Sequence, residues 1–401
     1  MDYMDDSATA RACTLERTDA GPAECVGRRV IACARRALMS VVLTASIGLP
    51  HGASAQQFTF QEYGQQEGLT NLSVPCLVQD RPGFIWMCTE NGLFRYDGTE
   101  FRRFGEDEGI EDTEIHGAIE DPAGRLWVST SHDLYVGDGK AFHTVRPDGR
   151  VLSPEIGSQI AARSSKEVLV ISQEQLVRLA PAENSSSWRG SNFFTPEQLH
   201  ALPWLQHLKS VAVDTSGRIL LGCGQSICTV EQGRVRTWDS HSGVPDDTWR
   251  SWLVDRDGTL WVRGLEHVAV LEAGATRFQL HDPPHAGLTA QLEAAPLIED
   301  LDGRILTRTE IGIARWQRDH WEEFGAINGV PRIGLVALLV DHGGNLWMGT
   351  PGRGAARWLG YGRFESWTAA QGLGDDMVWS VTATTEHGMI AGGTAATALR
   401  K

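Results

Sequence analysis

The side chains with the clearest capacity for chemistry are an acidic tetrapeptide, a set of cysteines and a scatter of histidines. Asp255-Arg256-Asp257-Gly258 has the opening of a calcium loop, which needs oxygen ligands at alternate positions. The later ligands of such a loop are missing and the Asp falls where a hairpin turn is expected, so the segment reads as a turn. Cys76, Cys88, Cys223 and Cys228 show no C-x-x-C spacing and no accompanying histidines, which argues against zinc. The sequence contains 13 His, and they are dispersed. G-x-S-x-G, H-E-x-x-H, the P-loop and G-x-G-x-x-G do not occur. The sequence therefore assigns no catalytic residue, metal or cofactor, and a binding function comes ahead of an enzymatic one.

Asp-x-x-Gly recurs along the chain, and this recurrence organises it. Ile119-Glu120-Asp121-Pro122-Ala123-Gly124-Arg125-Leu126-Trp127 has relatives centred on Asp80, Asp214, Asp255, Asp300 and Asp341. From Trp86 to Trp127, Leu220 to Trp261 and Leu306 to Trp347 the step is 41 residues, a period expected of propeller blades. Asp at the first turn position accepts from N–H groups two residues on, and Gly three later tolerates φ > 0. Each copy thus starts as a hairpin with Leu or Ile before Trp on the returning strand. A third strand such as Gly92–Tyr96 and an outer strand such as Phe101-Arg102-Arg103-Phe104 complete a small sheet that needs neighbours on both faces. The fixed place of Trp86, Trp127, Trp261 and Trp347 in the second strand implies packing between blades rather than a sugar-stacking platform.

The expected fold is an all-β propeller of seven or eight four-stranded antiparallel blades. Copies run over 71–104, 112–145, 154–194, 208–238, 246–281, 289–324 and 331–367, with a partial eighth from 375. The third is degenerate, with Ser164-Ser165-Lys166-Glu167 in place of the turn. After it, Thr195-Pro196-Glu197-Gln198 supplies a capping Thr, a Pro at the first helical position and a Gln three after the cap, which predicts a short helix between blades three and four. Phe60–Leu69 aligns with Phe101–Ile110, so an outer strand stands ahead of the first copy as a candidate closure. Either eight blades close through residues 58–63, or seven close and the eighth copy opens a second propeller.

The chain has 401 residues and a formal net charge of −15, with 36 Lys plus Arg against 51 Asp plus Glu. Residues 1–55 carry six of each sign, so the surplus belongs to residues 56–401 and argues against nucleic acid or anionic lipid as a partner. Residues 1–55 read as a leader. Arg35-Arg36 precede an apolar run from Ala37 to Leu49, too short for a permanent span, and Ala53-Ser54-Ala55 suits cleavage before Gln56. Acids at Asp2, Asp5, Asp6, Glu16, Asp19 and Glu24 place the expected true start near Val30. Periplasmic or secreted localisation follows. Cys76, Cys88, Cys223 and Cys228 then form either two local disulfides, Cys76 with Cys88 and Cys223 with Cys228, or remain four buried thiols.

Gly68-Leu69-Thr70-Asn71-Leu72-Ser73-Val74, Asp80 to Thr89 and Gly92-Leu93-Phe94-Arg95-Tyr96-Asp97-Gly98 resemble the two-component regulator propeller repeat, and Asp341 to Thr350 matches its middle. The resemblance implies the periplasmic sensing region of a hybrid histidine kinase or diguanylate cyclase receptor. In that family a second propeller, a connector, a membrane helix and an output domain follow. No such output motif occurs here, so membrane attachment and a dimer are expected only through further segments of a full-length receptor. Streptogramin lyases are similar single propellers and provide the enzymatic alternative.

In a propeller, the inter-blade connections and the second-to-third-strand turns share one face, whose loops carry function. On that face the sequence places Asn71, Asp112, Asp246, Arg332 and Asp376 in connections and Glu90, His132, His267 and Arg353 in turns, as ligand-binding candidates. Acids outnumber bases there, which favours a cationic or polyhydroxylated small molecule.

Overall fold

Alternating apolar residues on either side of Asp-x-x-Gly turns give antiparallel hairpins, and the computed structural model shows how they assemble. It describes residues 58–182, 187–288, 295–331, 334–363, 377–383, 389–393 and 396–399, all within the unit Ala55–Lys401. Seven four-stranded antiparallel sheets form the blades. Blade one runs Cys76–Gln79, Ile85–Thr89, Gly92–Tyr96 and Phe101–Phe104, and blade two Ile115–Glu120, Leu126–Thr130, Leu134–Gly137 and Phe142–Thr144. The degenerate third copy is a full blade from Ile160 to Asn192.

The seventh blade takes its outer strand from the other end of the sequence. Phe60–Tyr63 pairs antiparallel with Ala355–Trp358, with Phe60 opposite Trp358 and Tyr63 opposite Ala355. The ring therefore closes at seven blades, and the eight-bladed alternative is corrected. The end of the seventh copy, 364–367, lies outside the described residues. The eighth copy is a separate three-stranded sheet of Val378–Ala383, Met389–Gly393 and Ala396–Leu399. The expected leader and the start near Val30 also lie outside the described residues. Among the described residues no helix is long and apolar enough to cross a membrane.

Blades are held by apolar clusters that cross from one to the next. Trp86 packs with Leu126, Val128 and Phe142 of blade two, and Trp127 with Val168 and Val170 of blade three. Trp347 lies with Tyr63, Leu77 and Phe94 at the closure. Each of these indoles is almost completely buried, as expected of packing residues. The helix Pro196–Ala201 is present with its capping box, Gln198 N to Thr195 Oγ1 at 3.3 Å and Thr195 N to Gln198 Oε1 at 3.0 Å. Leu199 and Leu202 fix it to the cluster shared by blades three and four. Cys76 stands directly opposite Cys88 and is bonded to it with Cα atoms 5.1 Å apart, and Cys223 is bonded to Cys228 at 5.9 Å. The disulfide alternative is thus the one the structure adopts.

Candidate ligand face and channel

The two loop sets meet by backbone hydrogen bonds. Gly92 N, in the second turn of blade one, donates to Thr113 O in the connection to blade two at 2.6 Å. Gly354 N donates likewise to Leu72 O at 2.7 Å, and Asp247 N to Gln225 O at 3.1 Å. Each of these connections is stitched to the turn of the preceding blade. The Asp-x-x-Gly turns contact one another instead: Arg81 Nη2 donates to Pro122 O and Arg256 Nη2 to Asp300 O, both at 2.9 Å. The expected division into a connection face and an Asp-turn face is therefore present.

Blade two brings together a dense polar group on the connection face. Asp112 Oδ2 accepts from His132 N at 3.1 Å and lies 3.0 Å from His132 Nδ1. Burial pushes the Asp112 carboxyl up, but hydrogen bonds from Thr130 and His132 outweigh it and hold the group below its usual range. Beside this pair, Ser131 Oγ donates to Glu114 Oε2 at 2.5 Å and lies 3.3 Å from His116 Nε2. His116 Nδ1 is 2.9 Å from Pro154 O, an acceptor only, so Nδ1 carries a proton. The cluster thus presents carboxylate, hydroxyl and imidazole groups together.

His116 was not among the sequence-derived candidates because it lies on an innermost strand, not in a loop. It lines the central channel, a cavity of about 650 Å³ walled by the first strands of the blades. Gly117, Ala161, Ala212 and Ala337 keep the wall thin, and Trp252 stands in it with Nε1 held by Ser210 Oγ at 2.8 Å. Towards the Asp-turn face the lining ends at Arg81 and Glu120, which pair at 3.7 Å.

The other candidates are spread around the ring. Asn71 Oδ1 accepts from Ser73 N at 3.0 Å and so shapes its own connection. Glu90, Asp246 and Arg353 are exposed, and the backbone N of Arg353 donates to Thr350 Oγ1 at 2.9 Å. His267 Nδ1 lies 2.9 Å from Asp282 Oδ2. Arg332 and Asp376 lie outside the described residues. Asp247, one residue past the expected Asp246, is buried and accepts from Thr248, Leu265, Glu266 and His267 N–H at 2.6–3.0 Å. Its place requires glycine at 264, where a Cβ would lie 2.0 Å from Asp247 Oδ2. Part of the acidic surplus that pointed to a cationic ligand is therefore committed to backbone donors.

A buried basic group on the same side was also unanticipated. Arg263 is fully buried, and desolvation lowers its pKa to about 10. Its Nη1 donates to His267 O at 3.2 Å, while Nη2 donates to Ala286 O and to Arg308 O. It thereby ties the second turn of blade five to blade six. Among the described residues no group of three or more His, Cys, Asp or Glu is arranged to hold a metal.

Residues 68–91 match the Two component regulator propeller family. No curated protein matches the sequence. Among solved structures, the extracellular domain of BT3049 from B. thetaiotaomicron, described as a hybrid two component system, superposes with a TM-score of 0.60 at 18% identity, covering 84% of this chain and 47% of that one. The extracellular domain of BT4673 from the same organism gives 0.59 at 18%, covering 84% and 45%. Catalytically inactive virginiamycin B lyase from Staphylococcus aureus, solved with quinupristin, gives 0.58 at 8% identity, covering 75% of this chain and 99% of that one. At such identities the likeness is one of fold, and the chain spans less than half the length of the two B. thetaiotaomicron domains. The protein is a seven-bladed propeller that carries the two component regulator propeller repeat.

Proposed function

We propose that the propeller is the ligand-receiving input region of an extracytoplasmic signalling receptor, exported by its leader and coupled to an output domain in a longer protein. The observation that carries this reading is the blade-two cluster of Asp112, Glu114, His116, Ser131 and His132, placed on the connection face with His116 reaching the channel wall. The repeat match and the fold shared with the B. thetaiotaomicron extracellular domains support it. A small polyhydroxylated or cationic molecule suits the cluster, because its carboxylates and hydroxyl accept hydrogen bonds and the channel behind accommodates an apolar portion. A thermal-shift screen of the full chain with neutral sugars, amines and amino acids tests this. Stabilisation by one of these classes is expected, and a flat response to all of them contradicts the reading.

A second reading is a stand-alone lyase, favoured by coverage of almost the whole virginiamycin B lyase chain by a single ring of this size. Incubation with quinupristin separates the two. Loss of the intact compound would replace the sensor reading with the enzymatic one.

A further inference from the structure

The two disulfides differ in access. Cys223 and Cys228 are fully buried, with their bridge between the second and third strands of blade four. Cys88 is fully buried as well, in the cluster shared by blades one and two. Cys76 packs against the same cluster but alone of the four is only half-buried, and on the innermost strand of blade one it lines the central channel. The channel encloses about 650 Å³, a volume in the range of small-molecule sites. Thiol exchange requires a thiolate to reach one sulfur of a bridge, so access decides which bridge reacts and at which sulfur.

We propose that Cys76 is a covalent modification site inside the channel, at which small thiols exchange with the Cys76–Cys88 bridge while Cys223–Cys228 stays closed. A small thiolate enters the channel and attacks Cys76 Sγ. The bond to Cys88 breaks, and Cys88 leaves as a thiolate that takes a proton from water. Cys76 then carries the small thiol as a mixed disulfide. A second thiolate attacks the sulfur of the bound small thiol, forms the small-molecule disulfide and releases Cys76, so two protein thiols are gained as two small thiols are oxidised. The adduct occupies channel volume beside His116 and Ala337, which line the same cavity. It therefore makes channel occupancy responsive to the thiol content of the surroundings.

The test is graded 2-mercaptoethanol on the oxidised full chain under native conditions, followed by acid quenching, alkylation and peptide mass analysis. Cys76–Cys88 is expected to open at least tenfold faster than Cys223–Cys228, with the mercaptoethanol adduct on Cys76. Reduced thioredoxin, a protein too large for the channel, is expected to open neither bridge. Equal rates for the two bridges, an adduct on Cys88, opening by thioredoxin as fast as by the small thiol, or no opening of Cys76–Cys88 before the chain unfolds would each overturn the proposal. Because reagent size is varied and the protein is not, no result depends on whether a variant folds.

Discussion

Trp127 Nε1 donates a 2.9 Å hydrogen bond to Asp121 Oδ2, six residues earlier across the first hairpin of blade two. The same bond joins Trp86 to Asp80 at 2.7 Å, Trp261 to Asp255 at 2.9 Å and Trp347 to Asp341 at 2.9 Å. Where Leu220 and Leu306 replace the Trp, Arg218 Nε and Arg304 Nε donate to Asp214 and Asp300 at 2.8 and 2.7 Å. The repeated Asp is thus more than a turn residue. Its other oxygen orders the turn, as in Ala123 N and Arg125 N to Asp121 Oδ1 at 2.8 and 3.0 Å, while Oδ2 fixes the side chain that packs against the next blade.

Loss of a turn or cap acceptor alone costs about 1 kcal/mol. Asp121→Ala also leaves the Trp127 indole N–H buried without its acceptor and takes the carboxylate away from Arg125 Nε, so we expect a loss of about 3–5 kcal/mol in chemical denaturation. Asp121→Asn keeps an acceptor and should recover part of it. A loss below about 1 kcal/mol for the Ala variant would confine Asp121 to the turn.

Closure at seven blades makes the first described strand structural. Tyr63 is buried and its ring stacks on Trp347 with centroids 5.0 Å apart. Tyr63→Ala should cost about 3–5 kcal/mol, in the range of other buried aromatic truncations. Deleting 58–63 should abolish cooperative melting of the ring, read by near-ultraviolet circular dichroism. An unchanged melt after the deletion would show that another segment closes blade seven.

The turn carboxylates also set the acid limit. Burial pushes Asp121, Asp214 and Asp341 up, but the hydrogen bonds they accept outweigh it and hold all three below the ordinary carboxylate range. A carboxyl whose pKa is lower in the folded state contributes stability above its unfolded value, near 3.9, and that contribution disappears as pH falls through the folded value. Stability measured by denaturant titration should therefore be flat from neutral pH to about pH 5 with respect to these groups and fall steeply below about pH 4. Asp121→Asn should make the acid limb shallower. An acid limb of identical slope in that variant would remove Asp121 from the linkage.

Adjacent acids on the connection face should separate cleanly. Asp247→Ala leaves the N–H groups of Leu265, Glu266 and His267 without their carboxylate and should lower the melting temperature by several degrees. Asp246→Ala removes an exposed side chain and should leave the melt within error. The reverse order would mean that the connection into blade five is held by Asp246.

The legible part of the fold came from local periodicity. The Trp-to-Trp step located the blades, Thr195 with Gln198 located the inserted helix, and the placement of Cys76 and Cys88 about one turn anticipated their bridge. Contacts between blades were not legible. Arg81 bonds to Glu120 and Pro122, and Arg256 to Glu299 and Asp300, across about one repeat of sequence, a distance at which no local pattern links the partners. The number of blades was ambiguous because residues 58–63 read as the outer strand missing from the eighth copy, whereas they pair with Ala355–Trp358 of the seventh. Loop reasoning placed Asp112 and His132 on the same face, where they pair, but passed over His116, whose strand position gave no sign that it faced the channel. It gave no means of separating Asp246 from Asp247, since only the three-dimensional turn shows which of two neighbouring carboxylates points at the backbone donors.

The most direct test of a ligand-receiving connection face is calorimetric titration of the compound that the thermal-shift screen identifies, against variants of the two faces. Asp112→Ala and His116→Ala should each weaken binding tenfold or more, about 1.4 kcal/mol, with the melt of the unliganded protein little changed. Arg81→Ala and Arg256→Ala, on the Asp-turn face, should leave affinity unchanged. Affinity that follows Arg81 and Arg256 while ignoring Asp112 and His116 would place the ligand on the wrong face and contradict the account.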